Sequence, residues 1–301
     1  MKTITLQQAK KIAFGKVSIA LGTFDGLHIG HLALMNVVDG QPGKSAVFTF
    51  DALPVDIFQA GHKPMRLFTM EEKTAAFNKL GVDYLCVAHF DDAFAHMEKE
   101  AFEQLLQDVF SPNSVIVGYN YTYGRRAEGT ALTLTQSGES QGYKVKVISP
   151  VIMDGRPVSS TRIRERIWDG DVEQANAMLG YAYSMSGVVV YGQGIGRKLG
   201  FPTANIRAAV EKIVPKNGVY GVEVDVGSQT YEGVCSIGTN PTVSKNAKQS
   251  VEAHILHFDE DIYDQTITVR FMKRVRKELR FENTKQLIAQ IKKDIRAVTK
   301  S

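Results

Sequence analysis

Cysteine is scarce in this chain: Cys86 and Cys235 are the 2 that occur among 301 residues. Two distant thiols inside apolar stretches make neither a disulfide framework nor a zinc site, so both are expected to be buried and free. Long apolar runs are also missing, and none approaches the roughly 20 residues that a membrane-spanning helix needs. The opening segment MKTITLQQAKKIAF has no apolar core and no small-residue cleavage site, so it does not read as a secretion signal. A cytoplasmic protein is expected. Internal repeats and low-complexity segments are absent as well. Charge of one sign is only weakly in excess, with a formal net charge of +4. Lys and Arg thicken in Arg270-Phe-Met-Lys273-Arg274-Val-Arg276-Lys277, but they alternate with apolar residues there. With no recognised motif beside it, that run reads as the solvated face of a strand.

What is present is ordinary for a globular protein: 44% hydrophobic and 23% charged residues. At about 100–200 residues per domain, the length suggests two domains, each able to bury its own core. The first half alternates short Val/Ile-rich runs (Val17–Leu21, 45–50, 82–87, Ser114–Gly118 and 143–148) with amphipathic helical patterns. Thr69-Met-Glu-Glu72 is a capping box that opens a helix through Leu80, with Gly81 as its stop. Residues 98–110 repeat apolar side chains at helical spacing. This alternation predicts a parallel sheet covered on both faces, with ligands beyond the carboxyl ends of its strands. Near residue 182 the pattern changes to strands with little helix between them: 183–191, 218–226, 229–237, 251–258 and 265–275. Gly227-Ser228 reads as a hairpin turn, and the alternation around Ile267, Val269 and Phe271 predicts a half-buried strand of a barrel or sandwich. Leu287, Ile288, Ile291 and Ile295 form one stripe of a closing helix over 283–298. The expected domains are therefore 1–182 and 183–301.

The first strand runs directly into Gly22-Thr-Phe-Asp-Gly-Leu-His28-Ile-Gly-His31. Glycines at 22, 26 and 30 let the backbone turn sharply and come close to a ligand. His28 and His31, three apart, share one side of the helix that begins there, where free N–H groups and the positive helix end also point. Two imidazoles, open amides and a helix dipole suit a nucleotide triphosphate. They neutralise charge building on the α-phosphate and the leaving pyrophosphate without a covalent intermediate. A structural or metal-binding histidine pair is the competing reading. A second cluster, Ser159-Ser160-Thr161-Arg162-Ile163-Arg164, opens a helix after the last strand of this half. Its hydroxyls can bond phosphate oxygens while an Arg one turn later offers a charged fork. A plain Ser cap with surface arginines is the alternative.

These two segments resemble the signature motifs of the nucleotidyltransferase module of prokaryotic FAD synthetases. The resemblance implies a Rossmann-like α/β domain that transfers AMP from ATP to the phosphate of FMN and releases pyrophosphate. It implies that His28 and His31 stabilise the transferring phosphate and that Ser160, Thr161 and Arg164 hold the ATP phosphates. Gly22, Phe24, Asp25 and Gly30 belong to the same nucleotide loop. Asn120, within Gly118-Tyr-Asn-Tyr-Thr-Tyr-Gly124, falls where the family has a segment near the nucleotide, although the aromatics there also suit a core. One departure stands out. The family reads Thr-Phe-x-Pro-His-Pro after the second strand, whereas this chain has Thr49-Phe-Asp-Ala-Leu-Pro54, with Ala52-Leu53 in place of Pro-His.

The second half opens with Gly192-Gln-Gly194-Ile-Gly196-Arg197-Lys198-Leu-Gly200-Phe-Pro-Thr203-Ala-Asn205. Its glycines can wrap phosphates while Arg197 and Lys198 bring positive charge. The hydroxyl of Thr203 and amide oxygen of Asn205 are hard ligands suited to Mg²⁺. This segment is similar to the signature of riboflavin kinases. Gly218-Val-Tyr220, Ile237-Gly-Thr-Asn-Pro-Thr242 and Val251-Glu252-Ala-His-Ile-Leu256 follow in the family's order. The resemblance implies an antiparallel β-barrel with a C-terminal helix, and Glu252 as general base on the ribityl hydroxyl during γ-phosphoryl transfer. His254, on the same strand face, reads as structural.

Together the resemblances cover nearly the whole chain and imply a bifunctional enzyme. With ATP and Mg²⁺ it would phosphorylate riboflavin to FMN, then adenylylate FMN to FAD. Its expected partners are riboflavin, FMN and ATP, with no membrane and no nucleic acid; self-association stays open. Two alternatives remain: a one-activity member with a weakened adenylyltransferase site, and a flavin-responsive regulator that binds nucleic acid through the 270–277 stripe.

Overall fold

A computed structural model describes residues 1–53, 66–239 and 249–299. Contacts divide the chain into two compact units, Met1–Ser160 and Thr161–Ser301.

In the first unit the strands are β1 (Lys2–Thr5), β2 (Val17–Leu21), β3 (Lys44–Phe50), β4 (Tyr84–Ala88), β5 (Ser114–Gly118), a short pair β6 (Thr122–Tyr123) and β7 (Gly129–Thr130), and β8 (Lys144–Ile148). Helices α1 (Leu6–Ala9), α2 (Ile29–Asp39), α3 (Met70–Lys79), α4 (Asp92–Ala95), α5 (Lys99–Phe110) and α6 (Ala131–Gln141) alternate with them. A second short pair, β9 (Ile152–Met153) and β10 (Arg156–Pro157), precedes α7 (Ser160–Asp169). Six strands form an all-parallel sheet in the order β1-β4-β3-β2-β5-β8. From β2 the chain steps to β3 and β4 on one side and later to β5 and β8 on the other. That reversal opens a crevice at the carboxyl ends of β2 and β5, the place where doubly wound sheets take ligands.

The sequence dictates much of this. β2 is buried at every position, as a parallel strand covered on both faces must be. Its one polar side chain, Ser18, accepts a hydrogen bond at 2.8 Å from Ser114 on β5. α3 starts on the expected capping box: Thr69 Oγ1 accepts the Glu72 N–H, and the Glu72 carboxylate accepts the Thr69 N–H. Phe48 on β3 meets Phe50, Phe102 and Phe110 edge-on, with ring centroids 5.4–6.1 Å apart. Truncating such a ring to Ala costs about 3–5 kcal/mol. The edge strand β1 was not expected. Four residues are too short for a periodic signal, and β1 is defined by its pairing with β4.

The second unit carries α7 onward, α8 (Val172–Leu179), β11 (Ser184–Val190), α9 (Ile195–Lys198), β12 (Ala204–Ala208), β13 (Gly218–Val226), β14 (Gln229–Thr239), β15 (Gln249–Ile255), β16 (Thr266–Arg276) and α10 (Thr284–Val298). The strands close into a barrel in the order β11-β12-β15-β14-β13-β16, every neighbour antiparallel. The Gly227-Ser228 hairpin joins β13 to β14 as read from sequence. β12 was not expected: its five residues sit inside a motif that reads as a ligand loop. In the structure Ala204 and Ile206 point into the barrel while Asn205 and Arg207 point out.

α10 begins at its Asn283 cap and half-buries the stripe Leu287, Ile288, Ile291 and Ile295. A buried ion pair adds to that packing: Asp294, 3% exposed, accepts Arg276 Nε at 3.0 Å and Nη2 at 2.8 Å. Two other arginines of the basic stretch are also engaged. Arg270 pairs with Glu223 and Asp225, and Arg274 donates to the carbonyls of Asn217 and Asp169. Of the Ile237–Thr242 motif, the last three residues lie outside the described residues.

Candidate active sites

The loop that leaves β2 is held in an uncommon backbone. Phe24 and Leu27 lie at φ +48° and +39°, and Gly26 at +86°. Left-handed non-glycine residues cost of order 1–3 kcal/mol each, and such strain collects where function needs it. Beneath the loop, the buried Asp25 carboxylate accepts the N–H of Leu67 at 3.0 Å and of Phe68 at 2.9 Å. The Phe24 ring packs edge-on against His31 and Phe77. Phe24 and Asp25 therefore support the loop from below. Ser160 donates its hydroxyl to the Asp25 carbonyl at 2.8 Å. Thr161 and Arg164 continue the α7 helix that starts at Ser160.

His28 is the N-cap of α2, its Nδ1 accepting the His31 N–H at 3.3 Å. The two imidazoles stack with centroids 3.6 Å apart. A side chain at Gly30 would place its Cβ 3.2 Å from the His28 ring, so glycine lets the imidazole lie over the helix start. Burial pushes His28 down to about 4 and lowers His31 as well. Both rings are thus neutral at pH 7. Since Nδ1 of His28 accepts, its proton sits on Nε2. His31 Nδ1 is buried and finds no hydrogen-bond partner among the described residues. The N–H groups of Ile29 and Gly30 precede the intrahelical ladder. The arrangement is a dry, preorganised donor set at a helix N-terminus, able to receive an anion and to gain protons as it does so.

Asn120 is exposed two residues beyond β5, on the same carboxyl edge as the β2 loop, while Tyr121 and Tyr123 belong to the core. Sequence reasoning missed Lys73. This α3 lysine is 5% exposed and donates to Thr23 O at 2.9 Å, Phe50 O at 3.2 Å and Thr49 Oγ1 at 3.4 Å. Burial depresses it to about 8. Its signal in the sequence was faint: a lysine on the apolar side of an amphipathic helix. Leu53, where the family resemblance expects a His, is buried.

In the barrel the unexpected strand β12 organises the second site. Antiparallel pairing sets Asn205 directly opposite Glu252, so both project from the same outer face of the barrel. Both are half-buried. Burial raises the Glu252 carboxyl above its ordinary value, and a hydrogen bond with the Thr203 side chain pulls the other way. His254 on the same face bonds through Nδ1 to the Pro202 carbonyl at 2.7 Å, next to Thr203. This bond ties the His254 ring to the residue next to Thr203. The glycine-rich segment folds back over these groups: a Cβ at Gly196 would lie 2.4 Å from the Phe201 carbonyl and 3.3 Å from Thr203 Oγ1. Gly194 and Gly200 have positive φ on either side of α9. Arg197 and Lys198 are exposed, and Arg197 lines a cleft with Val189, Thr203, Ala253, Ile255 and Tyr263. Among the described residues no group of three or more His, Cys, Asp or Glu could hold a metal. Hydroxyl, amide and carboxylate oxygens meeting at one place fit Mg²⁺, which takes few protein ligands when phosphates complete its shell.

Comparison with known proteins agrees with this division of labour. An FAD synthetase family model matches residues 10–162 and a riboflavin kinase family model matches residues 179–301. The bifunctional riboflavin kinase/FMN adenylyltransferase of Listeria monocytogenes is 36% identical over 281 residues, covering 92% of this chain and 89% of that protein. The chain belongs to this family. The Bacillus subtilis member is 32% identical over 295 residues, covering 96% of this chain and 91% of its own. A solved Streptococcus pneumoniae structure, described as a macrolide-efflux protein, matches with a TM-score of 0.91 and 29% identity over 99% of this chain and 98% of that one. In this family member no helix among the described residues is long and apolar enough to cross a membrane. It is an enzyme with an FAD synthetase half and a riboflavin kinase half.

Proposed function

We propose that the enzyme phosphorylates riboflavin at the Glu252 site and adenylylates FMN at the His28–His31 site, dividing the work near residues 182 and 183. The observation that carries the reading is the pairing of two separate phosphate-handling constellations with two matching family halves. In the kinase step, Glu252 accepts the proton of the ribityl 5′-hydroxyl as its oxygen bonds to the γ-phosphorus of ATP. The bond from that phosphorus to the β-bridging oxygen breaks, and ADP leaves. Thr203 and Asn205 would hold Mg²⁺, which supplies charge neutralisation on the phosphates. Gly194, Gly196, Arg197, Lys198 and Gly200 form the strap over them.

In the adenylyl step, an oxygen of the FMN phosphate attacks the α-phosphorus of ATP, and pyrophosphate leaves. That nucleophile is already ionised, so no base is required. His28 and His31 donate to the phosphate oxygens as charge builds. Ser160, Thr161 and Arg164 serve the remaining phosphates, a role supported by their place at the start of one helix. Gly22 and Gly30 keep the loop open to the nucleotide, Phe24 and Asp25 brace it, and Asn120 stands at its margin. A cytoplasmic location suits two buried, free thiols. The buried, apolar Leu53 favours one second reading, a weakened adenylyl step.

The deciding experiment is chromatography of flavins after incubating the protein with riboflavin, ATP and Mg²⁺. FMN followed by FAD is expected. FMN alone would establish the second reading, and neither product would overturn both.

A further inference from the structure

At the carboxyl edge of the parallel sheet stands a histidine that neither step uses. β3 and β4 end in register, Phe50 opposite Ala88, so the residues that follow, Asp51 and His89, meet. His89 Nδ1 lies 2.7 Å from Asp51 Oδ2. The other carboxylate oxygen accepts the Phe90 N–H at 3.2 Å, and the Asp51 carbonyl accepts Arg66 Nη1 at 2.7 Å. With the carboxylate held in place and Nδ1 committed to it, Nε2–H is the donor left for a ligand. The His89 side chain is 74% exposed.

The same edge is bonded through to the nucleotide loop. Lys73 Nζ joins the Thr23 carbonyl of that loop to the Phe50 carbonyl beside Asp51. Arg66 holds Asp51, while the next two residues, Leu67 and Phe68, hold Asp25. His89 is therefore built onto the frame that supports His28 and His31.

Charge gives this placement its meaning. His28 and His31 are neutral and Lys73 is committed to three oxygens. His89 is the opposite case. The hydrogen bond and charge of Asp51, aided by Asp91, raise it above its ordinary value. Its protonated form is favoured beyond that of an ordinary histidine, on an edge where Leu53 and the two site imidazoles bring no charge.

We propose that His89, oriented by Asp51, is a phosphate-binding residue of the adenylyl-transfer reaction. The proposal rests on reading this half as an FMN adenylyltransferase. β4 lies two strands from β2, about 10 Å at the usual strand spacing. His89 thus meets a phosphate other than the one at the start of α2, either a distal phosphate of ATP or the phosphate of FMN.

The test compares His89→Ala, His89→Lys and Asp51→Asn in FAD formation, with KM and kcat for each substrate, and uses riboflavin phosphorylation by the same preparations as the folding control. Loss of one charge-assisted hydrogen bond should raise one KM about tenfold with little change in kcat. His89→Lys should recover most of it. A rise confined to ATP identifies the triphosphate, and one confined to FMN the flavin phosphate. In the parent, kcat/KM for that substrate should fall as pH climbs through the raised His89 value. Asp51→Asn should move that fall to lower pH, a shift that a merely structural role would not produce. Equilibrium binding of FMN and of an α,β-methylene ATP analogue gives a readout independent of turnover. If the parent makes no FAD, the reading of this half fails, while the binding arm still tests His89. Unchanged KM and unchanged binding of both probes in His89→Ala would overturn the proposal. Should His89→Ala also lose kinase activity, His89→Gln carries the same comparison.

Discussion

Replacing Glu252 by Gln isolates the proton-transfer role proposed for it in the kinase half. The substitution keeps the side-chain volume and an oxygen for the bond with Thr203. Its structural cost should therefore stay within about 1 kcal/mol, the net worth of one hydrogen bond. The catalytic cost is larger. A positioned general base contributes about 10²–10⁴ in rate, or roughly 2.7–5.4 kcal/mol of barrier. The barrel environment argues against the low end, since half-burial raises the carboxyl above its ordinary 4.5 and makes Glu252 a stronger base than an exposed glutamate. The sign of the pH effect follows. Activity needs the carboxylate, so the parent should lose kinase turnover as pH falls through a value above 4.5. The Gln variant should lack that limb. The assay is steady-state riboflavin phosphorylation across pH, with FAD formation from supplied FMN measured alongside. KM for riboflavin and ATP should change little, because the ground state needs no proton transfer. A kcat within about threefold of the parent, or a parallel fall in FAD formation, would refute the reasoning.

The double variant His28→Ala, His31→Ala should lower FAD formation by at least roughly 10²-fold and spare riboflavin phosphorylation; loss of both activities in a folded protein would contradict two separate sites. Asn205→Ala should raise the Mg²⁺ needed for half-maximal kinase activity by about fivefold and leave that of FAD formation unchanged, as read from Mg²⁺ titrations of each. Lys73→Met strands three oxygens beneath the nucleotide loop and should cost about 2–4 kcal/mol, so heat should inactivate FAD formation earlier than kinase activity. Asp294→Ala leaves a part-buried guanidinium without its carboxylate, a loss of about 3 kcal/mol or more, and should lower the half-inactivation temperature of the kinase by roughly 6–12 °C. An unchanged midpoint would show that the α10 ion pair contributes nothing net.

Short-range chemistry made much of this molecule legible before any coordinates. Buried parallel strands announce themselves as Val/Ile runs, α3 by its capping box, α10 by its apolar stripe, and the two proposed phosphate sites by residue types crowded into ten or fourteen consecutive positions. These features depend on neighbours in the chain, so the chain records them. β1 and β12 could not be read in the same way. Each is too short for a period and exists because a distant strand offers its hydrogen bonds.

The linear order determined which groups are present: two histidines at a helix start, a Thr and an Asn in one motif, a Glu in another. The tertiary structure alone decided how they combine. Closing the barrel set Asn205 opposite Glu252 across 47 residues of chain. Folding the sheet buried Lys73 under the loop and drew Asp51 to His89. Burial also neutralised His28 and His31 while the carboxylate beside His89 raised that ring above its ordinary value. Protonation follows local solvation and nearby charge, which depend on what folds against a residue and not on what precedes it in sequence.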